Sequence, residues 1–258
     1  MSTIGACDRP WPLALDAVRT AGFDAVEILM IPGWIHLDAR TADPVLARSE
    51  LAARGLSPVG LHAGGVDGTD EVRLAASLEY VRSAIAFAAA IEAPLVNINA
   101  MPVPAGTARD VRTAMRARAA RGFAELLPAC HAAGVGLTIE NHHGFQIDTI
   151  EDYDALFALV PDPALGATVD TWHFTASGIS PAEAVRALGA RVRHVHVKDI
   201  GDPAAAPAHH ELMRALAEVG FDGWLSAEVE VHTDDERRSA VACSRSWLDG
   251  LATIGAAS

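Results

Sequence analysis

GARVRHVHVKD, residues 189–199, joins the end of one structural element to the whole of the next. Its leading glycine follows an Ala- and Leu-rich helical segment and is typical of the left-handed residue that ends a helix. The valines that follow predict a buried β-strand over Val192–Val197. His194, His196 and Lys198 alternate along that strand, so their side chains share one face. The segment therefore predicts a helix-to-strand junction with ionisable groups at the carboxyl end of the strand.

The same junction recurs along the chain, where short β-like segments alternate with longer helical ones. The predicted strands are Thr3–Cys7, Ala25–Met30, Ser57–His62, Leu95–Ala100, Gly136–Asn141, Gly166–Thr171, Val192–Val197 and Trp224–Val229. The predicted helices include Trp11–Ala21, Pro44–Arg54, Asp70–Ala90, Ala108–Ala133, Thr149–Leu159, Pro181–Leu188 and His209–Val219, and a last one from Asp235 to Ile254. The chain is thus a series of eight strand–helix units.

Eight such units predict an α/β fold in which a parallel sheet closes into a (β/α)8 barrel. A length of 258 residues suits one barrel of this kind, and no linker or change in composition indicates a second domain. An open, doubly wound sheet is the alternative, but no GxGxxG motif follows the first predicted strand. We therefore predict a single TIM-barrel domain over residues 1–258.

The composition argues against several classes of partner. Asp and Glu outnumber Lys and Arg by 33 to 20, and the resulting net charge of −13 disfavours binding to a nucleic-acid backbone. No uncharged apolar stretch reaches the ~20 residues that span a bilayer, and the N-terminus lacks the pattern of a signal peptide. Three cysteines without CxxC spacing are typical of reduced thiols. We expect a cytoplasmic protein with no nucleic-acid or membrane partner.

Ionisable side chains gather at the ends of four consecutive predicted strands. In a TIM barrel the active site lies at the carboxyl ends of the strands, so these side chains are expected to meet there. The residues are Glu140, Asn141, His142 and His143 on the fifth strand, Asp170 and His173 on the sixth, His194, His196 and Lys198 on the seventh, and Glu228, Glu230 and His232 on the eighth.

Carboxylates that converge in a buried site need a positive charge among them. Two of them about 4 Å apart repel each other by roughly 4 kcal/mol at an effective dielectric constant near 20. A divalent cation bound by Glu, Asp, His and Glu would remove this repulsion. Such an oxygen-rich set with one nitrogen suits Mn²⁺, Mg²⁺ or Co²⁺, and Zn²⁺ is also compatible. Strand parity does not separate His194 from His196, or Glu228 from Glu230, because residues two apart share a face.

Four motifs in chain order, TIENHHG, VDTWHF, HVHVKD and GWLSAEVE, resemble those of the xylose isomerase-like TIM-barrel family of sugar-phosphate isomerases and epimerases. The family binds one divalent cation, and its ligands, carried over by motif, are Glu140, Asp170, His196 and Glu228. The resemblance thus favours His196 over His194 and Glu228 over Glu230. We expect His194 and Glu27 to be buried structural residues and Glu230 to lie on the rim.

Other polar side chains near the strand ends are expected to contact the substrate. His62 ends the third predicted strand, and His142 comes two residues after the first glutamate ligand. His173 follows the aspartate ligand with a D-x-x-H spacing similar to that of the family, in which this histidine faces the substrate. Lys198 is expected to contact a substrate oxyanion. Trp34, in the loop after the second predicted strand, is expected to stack on a sugar face.

The resemblance implies a metal-dependent isomerase or epimerase that acts on a sugar, a sugar derivative or a keto-polyol. Glu140 and Glu228 would act as the two catalytic bases and transfer a proton next to a carbonyl that the metal polarises. The main alternative is a dehydratase of a keto-inositol or keto-sugar on the same barrel. A nuclease similar to apurinic endonucleases and a non-catalytic binding protein are less favoured. The expected partner is a small unphosphorylated sugar or polyol derivative, and the family resemblance is compatible with a homo-oligomer.

Overall fold

The computed structural model describes residues 1–33 and 37–229. Its strands form one seven-stranded parallel sheet in which each strand pairs with the next along the chain. The strands are β1 (Ala25–Leu29), β2 (Ser57–Val66), β3 (Leu95–Ala100), β4 (Gly136–Glu140), β5 (Leu165–Asp170), β6 (Val192–Val197) and β7 (Trp224–Ala227). With helices between successive strands, this sheet forms a nearly closed TIM barrel, which confirms the predicted fold class.

The helices lie close to their predicted positions. They are α1 (Trp11–Thr20), α2 (Pro44–Ala53), α3 (Glu71–Ala90), α4 (Arg109–Ala133), α5 (Ile150–Leu159), α6 (Thr171–Ala176), α7 (Pro181–Leu188) and α8 (Ala206–Glu218). Asp43, Asp70 and Thr149 begin three of them by accepting hydrogen bonds from backbone amides of the first turn. The predicted helix at 235–254 lies outside the described residues. Within residues 1–33 and 37–229, no helix has the length and apolar character needed to cross a membrane.

The first predicted strand, Thr3–Cys7, is wrong, because Thr3–Ala6 form a 3-10 helix. The hydroxyl of Ser2 begins this helix by accepting a backbone hydrogen bond at 3.3 Å, and the local bond competes with extended structure. Met1 and Ser2 take the place of the missing strand. The Ser2 amide donates to the last carbonyl of β7, and a β1 amide donates to the Met1 carbonyl, both at 3.0 Å. These two residues therefore connect β7 to β1.

Strand β2 is longer than predicted and continues past His62 to Val66. Its register against β3 shifts between His62 and Gly65, and Gly64 adopts a φ of +73° at the irregularity. A Cβ atom on Gly65 would lie only 2.3 Å from the carbonyl oxygen of Asn99, so glycine is required at this close approach. The adjacent glycines thus continue the strand, although such a pair is typical of a strand end.

The barrel interior contains a hydrogen-bonded chain of polar side chains beneath the strand ends. The Thr168 hydroxyl donates to Thr138 at 2.8 Å, the Thr138 hydroxyl donates to Asn97 Oδ1 at 3.2 Å, and Asn97 Nδ2 donates to Glu140 Oε2 at 3.0 Å. All four side chains are buried. Intervening residues such as Ile139 belong to the apolar core that the helices cover. The pleat of the sheet therefore holds polar groups inside and apolar groups outside.

Candidate active site

The structure brings the four predicted metal ligands together at the carboxyl end of the barrel. Glu140 and Asp170 are the last residues of β4 and β5. His196 lies one residue before the end of β6, and Glu228 directly follows β7. No more than 2% of any of these residues is exposed. One potential ligand atom from each lies within 4.8 Å of the others, so the group can hold a metal ion.

The imidazole of His196 lies between carboxylates on both sides. Its Nδ1 atom is 3.0 Å from Glu140 Oε1 and 3.0 Å from Glu228 Oε2. On the opposite side of the ring, Nε2 is 3.0 Å from Glu27 Oε1. A carboxylate on the far nitrogen fixes the tautomer and the orientation of a ligating histidine. Glu27 therefore leaves His196 Nδ1 available for a metal ion.

Glu27 and His194 form the layer below this group. Glu27 is fully buried, as expected, and His194 Nε2 lies 3.2 Å from Glu27 Oε2. Burial alone would raise the pKa of Glu27, but His196 and His194 outweigh it and hold the pKa well below its ordinary value. Within the described residues, the group of four potential ligands includes His196 and not His194. Glu230 lies outside the described residues.

Glu140 is also contacted by side chains from β3 and β2. Asn97 Nδ2 donates to Glu140 Oε2 at 3.0 Å, and His62 Nε2 lies 3.2 Å from the same oxygen. Burial alone would raise the pKa of Glu140, but His196 and His62 outweigh it and hold the pKa well below its ordinary value. Sequence reasoning missed Asn97. Two asparagines that alternate with apolar residues in LVNINA are a signal for buried polar partners.

Asp170 ends β5 and begins α6. Its Oδ1 accepts a hydrogen bond from the His173 amide at 2.8 Å, whereas its buried Oδ2 accepts none from the described residues. Lys198 Nζ lies 3.4 Å from that Oδ2 and 3.5 Å from Glu228 Oε2. Burial raises the pKa of Asp170 well above its ordinary value despite Lys198. Burial also opposes ionisation of Glu228, but His196 and Lys198 lower its pKa to about 2. A buried carboxylate oxygen that accepts no hydrogen bond from the described residues, together with the excess of carboxylates, fits a divalent cation.

Lys198 is the only lysine in the sequence, in which the other 19 of the 20 Lys and Arg residues are arginine. Its side chain is 12% exposed, and its backbone amide donates to the Thr171 hydroxyl at 2.9 Å. A compact ammonium group fits between two carboxylates where a planar guanidinium would need more room. The chain therefore uses lysine where a small cation must approach buried acidic groups.

A cavity of about 650 Å³ opens above these groups, and Glu140 and Glu228 line it. The predicted substrate contacts that line the same cavity are His62, His142, His173 and Lys198. Trp34 lies outside the described residues. The cavity therefore brings the described substrate-contact candidates and two of the four metal-ligand candidates together in one space.

Two of the histidine rings in the cavity lie in contact with each other. The ring centroids of His142 and His173 are 3.6 Å apart. Burial, with a contribution from Lys198, lowers the pKa of His173 to about 3. Burial also lowers the pKa of His142. Both rings are therefore neutral near pH 7 and can donate or accept hydrogen bonds.

Sequence reasoning missed two further residues of the cavity. Trp172 lies on α6, a six-residue helix that was not predicted because the preceding strand was expected to continue to Thr171. Its side chain is 44% exposed, and its ring meets that of His173 edge-on at 5.0 Å. Asp199 has a φ of 55°, a left-handed conformation that aspartate tolerates better than most residues. A turn residue after a strand with a charged end is the signal that could have identified Asp199.

Comparison with characterised sequences gives partial matches. Over 126 residues, the chain is 27% identical to the inosose dehydratase of Clostridium botulinum (strain Alaska E43 / Type E3). The match covers 38% of this chain and 42% of that protein, so the chain spans less than half the length of this curated relative.

Solved structures of similar fold cover nearly the whole chain. A D-tagatose 3-epimerase-like protein superposes with a TM-score of 0.78 at 20% identity, over 98% of this chain and 97% of that one. An L-ribulose 3-epimerase superposes with a TM-score of 0.74 at 20% identity, over 94% of this chain and 89% of that one. The sequence model of the xylose isomerase-like TIM barrel family matches residues 15–251. The chain therefore belongs to the xylose isomerase-like TIM barrel family.

Proposed function

We propose that this chain is a divalent-metal-dependent isomerase or epimerase of a sugar, a sugar derivative or a keto-polyol. It transfers a proton at the carbon next to a carbonyl group. The observation that carries this proposal is the position of Glu140 and Glu228, whose carboxylates each lie 3.0 Å from His196 Nδ1 and which both line the cavity. Two carboxylates from different strands can thus reach the same substrate.

The cation would be held by Glu140, Asp170, His196 and Glu228, and Mn²⁺ is the expected metal, with Mg²⁺, Co²⁺ and Zn²⁺ as alternatives. This assignment is supported by the donor set of three carboxylates and one imidazole nitrogen and by Asp170 Oδ2, which accepts no hydrogen bond from the described residues. When bound, the cation acts as a Lewis acid that stabilises negative charge on a carbonyl oxygen.

The protein side chains move the protons and hold the substrate. One glutamate removes the proton next to the carbonyl and the other returns a proton, and each positioned group contributes roughly 10²–10⁴ in rate. Return to the neighbouring carbon, with transfer of the hydroxyl proton on that carbon to the former carbonyl oxygen, gives aldose–ketose isomerisation. Return to the opposite face of the same carbon gives epimerisation. Neutral His142 and His173 hydrogen-bond to substrate hydroxyls, and Lys198 donates to the oxygen that becomes negative.

A dehydratase of a keto-inositol or keto-sugar is the second candidate, which the match to inosose dehydratase favours. The first step is the same removal of a proton by a glutamate. The C–O bond at the next carbon then breaks, its electron pair stays on the leaving oxygen, and that oxygen takes a proton from Lys198 and departs as water. A nuclease has less support because the net charge is −13.

Proton transfer is tested by incubating the Mn²⁺-loaded protein in D₂O with ketoses, aldoses and keto-inositols and recording NMR spectra. Deuterium next to the carbonyl supports the proposal, and a product that lacks one water identifies the dehydratase. Glu140→Gln should abolish the incorporation, because an amide cannot act as the base. Glu183→Gln, an exposed position on α7, is the matched control. Rapid conversion without deuterium would exclude the two-glutamate scheme.

A further inference from the structure

Four rings form a continuous surface on one side of the cavity, which we call the aromatic wall: Phe145, His142, His173 and Trp172. The centroids of Phe145 and His142 are 3.7 Å apart, those of His142 and His173 are 3.6 Å apart, and Trp172 meets His173 at 5.0 Å. In the proposed reaction, His142 and His173 hydrogen-bond to substrate hydroxyls. Phe145 and Trp172 have no role in it.

Apolar side chains that follow three of the strands line part of the cavity. The residues that follow the strand ends and line it include Ile31, Met101, Pro102 and Ile200. No arginine is among the described residues that line the cavity. An apolar group placed against these four side chains would gain by burial, whereas Asn99 and Asp199, which also line the cavity, can hydrogen-bond the polar half of the ligand.

The aromatic wall is fixed before any ligand binds. The Val103 amide donates to the Gly144 carbonyl at 3.0 Å, which joins the loops after β3 and β4. His143 Nδ1 lies 2.8 Å from the Ser177 hydroxyl, which joins the loop after β4 to the end of α6. The loop after β4 and helix α6, which carry the four rings, are therefore held together. A preorganised surface binds a planar group at a lower entropic cost.

We infer that the outer cavity binds a planar apolar group attached to the sugar or polyol, such as an aryl substituent stacked on Trp172. The inference rests on the proposed function, because that function places the polar half of the ligand next to the candidate metal ligands. An indole that is 44% exposed beside an apolar rim provides the outer surface for this group. Aromatic rings prefer offset-stacked or edge-to-face contacts, and both arrangements already occur within the wall.

The test compares two ligands that share one polar half, phenyl β-D-glucopyranoside and methyl β-D-glucopyranoside, by calorimetry with the Mn²⁺-loaded protein. The phenyl compound should bind at least tenfold more tightly. Trp172→Ala should reduce this preference to less than threefold, and Trp172→Phe should retain most of it. Trp224→Ala is the matched control, because Trp224 is 49% exposed at the opposite end of the barrel and should not affect the preference. Melting temperatures and Mn²⁺ affinity confirm that each variant is folded.

Equal affinity for the two glycosides, no binding of the phenyl compound, or a preference that Trp172→Ala leaves intact would overturn the inference. The outcome is separable from that of the proposed reaction. A phenyl preference without deuterium incorporation would retain the outer site and exclude the reaction. Deuterium incorporation into a free sugar without a phenyl preference would retain the reaction and exclude the outer site.

Discussion

At the scale of single residues, His194 and His196 show how two positions on one strand face can differ. Both are fully buried and both contact Glu27. His196 lies about 6.6 Å further along the strand, two residues at a rise of about 3.3 Å each. At that height its Nδ1 also reaches Glu140 and Glu228. Height in the barrel, which strand parity does not report, therefore places His196 and not His194 in the group of four potential ligands, although Glu27, His194 and His196 form a second group of potential ligands.

The ligand assignment predicts a ranking among four variants. His196→Ala and Glu228→Gln should each lower Mn²⁺ affinity at least 100-fold and remove nearly all turnover, because each removes a ligand. His194→Ala and Glu230→Gln should lower the Mn²⁺ affinity and the turnover much less. Titration calorimetry with Mn²⁺ measures the affinities. The reverse ranking would show that the register assigned to these two strands is wrong.

The single lysine predicts an unusual sensitivity to a substitution that retains charge. Lys198→Arg should lower kcat at least 100-fold, because a guanidinium lacks the compact donor geometry required between Asp170 and Glu228. Arg193→Lys, at an exposed position on β6, is the control and should retain activity. Protein labelled with [¹⁵N]lysine gives one side-chain signal, which should shift when a substrate is added. Full activity in Lys198→Arg would exclude a specific role for the ammonium group.

At the scale of elements, helix α8 is attached to the active-site end of the barrel through a buried histidine. His209 lies in the first half of α8 and is 4% exposed. Burial lowers its pKa to about 4, although a hydrogen bond with the Lys198 backbone opposes the shift. The neutral ring therefore connects α8 to the turn that follows β6.

The lowered pKa of His209 predicts a loss of stability in acid. The unfolded chain has an ordinary histidine pKa near 6.5 and binds more protons than the folded chain between about pH 4 and 6.5. The free energy of unfolding is therefore highest above about pH 6.5. It decreases as the pH falls, by about 2 kcal/mol at pH 5. Urea unfolding at pH 7 and pH 5 measures this loss, and His209→Gln should reduce it. His210→Gln, at an exposed position next to His209 on α8, should leave most of the loss in place. An unchanged pH dependence in His209→Gln would contradict the assignment.

At the scale of the whole molecule, the described part of the barrel buries more carboxylates than cationic side chains around the candidate active site. Glu27, Glu140, Asp170 and Glu228 are all buried around His196. Burial leaves the pKa of Asp170 well above its ordinary value despite the nearby Lys198. A divalent cation would allow all of these carboxylates to ionise, so folding and metal binding are expected to be linked.

The linkage predicts that a chelator destabilises the entire fold. A metal present at 100 times its Kd stabilises the folded state by about 2.7 kcal/mol. For a chain of this size the melting temperature should fall by about 5–10 °C when the metal is removed. Calorimetric melting with and without EDTA measures the change, and Mn²⁺ should restore the original value. Elemental analysis should find one divalent ion per chain. An unchanged melting temperature together with no bound metal would contradict the metal site.

Local patterns were sufficient to predict most of the barrel and most of the candidate site. Short apolar runs located β3 and β6 to the residue. The carboxyl ends of four strands provided the candidates for the metal site, and the family resemblance then favoured His196 over His194 and Glu228 over Glu230. The failures occurred where short-range bonds override a strand pattern. The Ser2 cap made a 3-10 helix of the first predicted strand, and α6 began directly at the end of β5.

The sequence by itself determined the order of strands and helices and the face of each strand that carries ionisable groups, because both depend on periodicity along the chain. Only the tertiary structure decided which of these groups meet. Glu27 reaches His196 across 169 positions, and Asn97 reaches Glu140 across 43, through the pairing of parallel strands. Met1 and Ser2 likewise link β7 to β1 from the far end of the chain. Such contacts depend on strand height and barrel closure, which arise when all the strands pair at once.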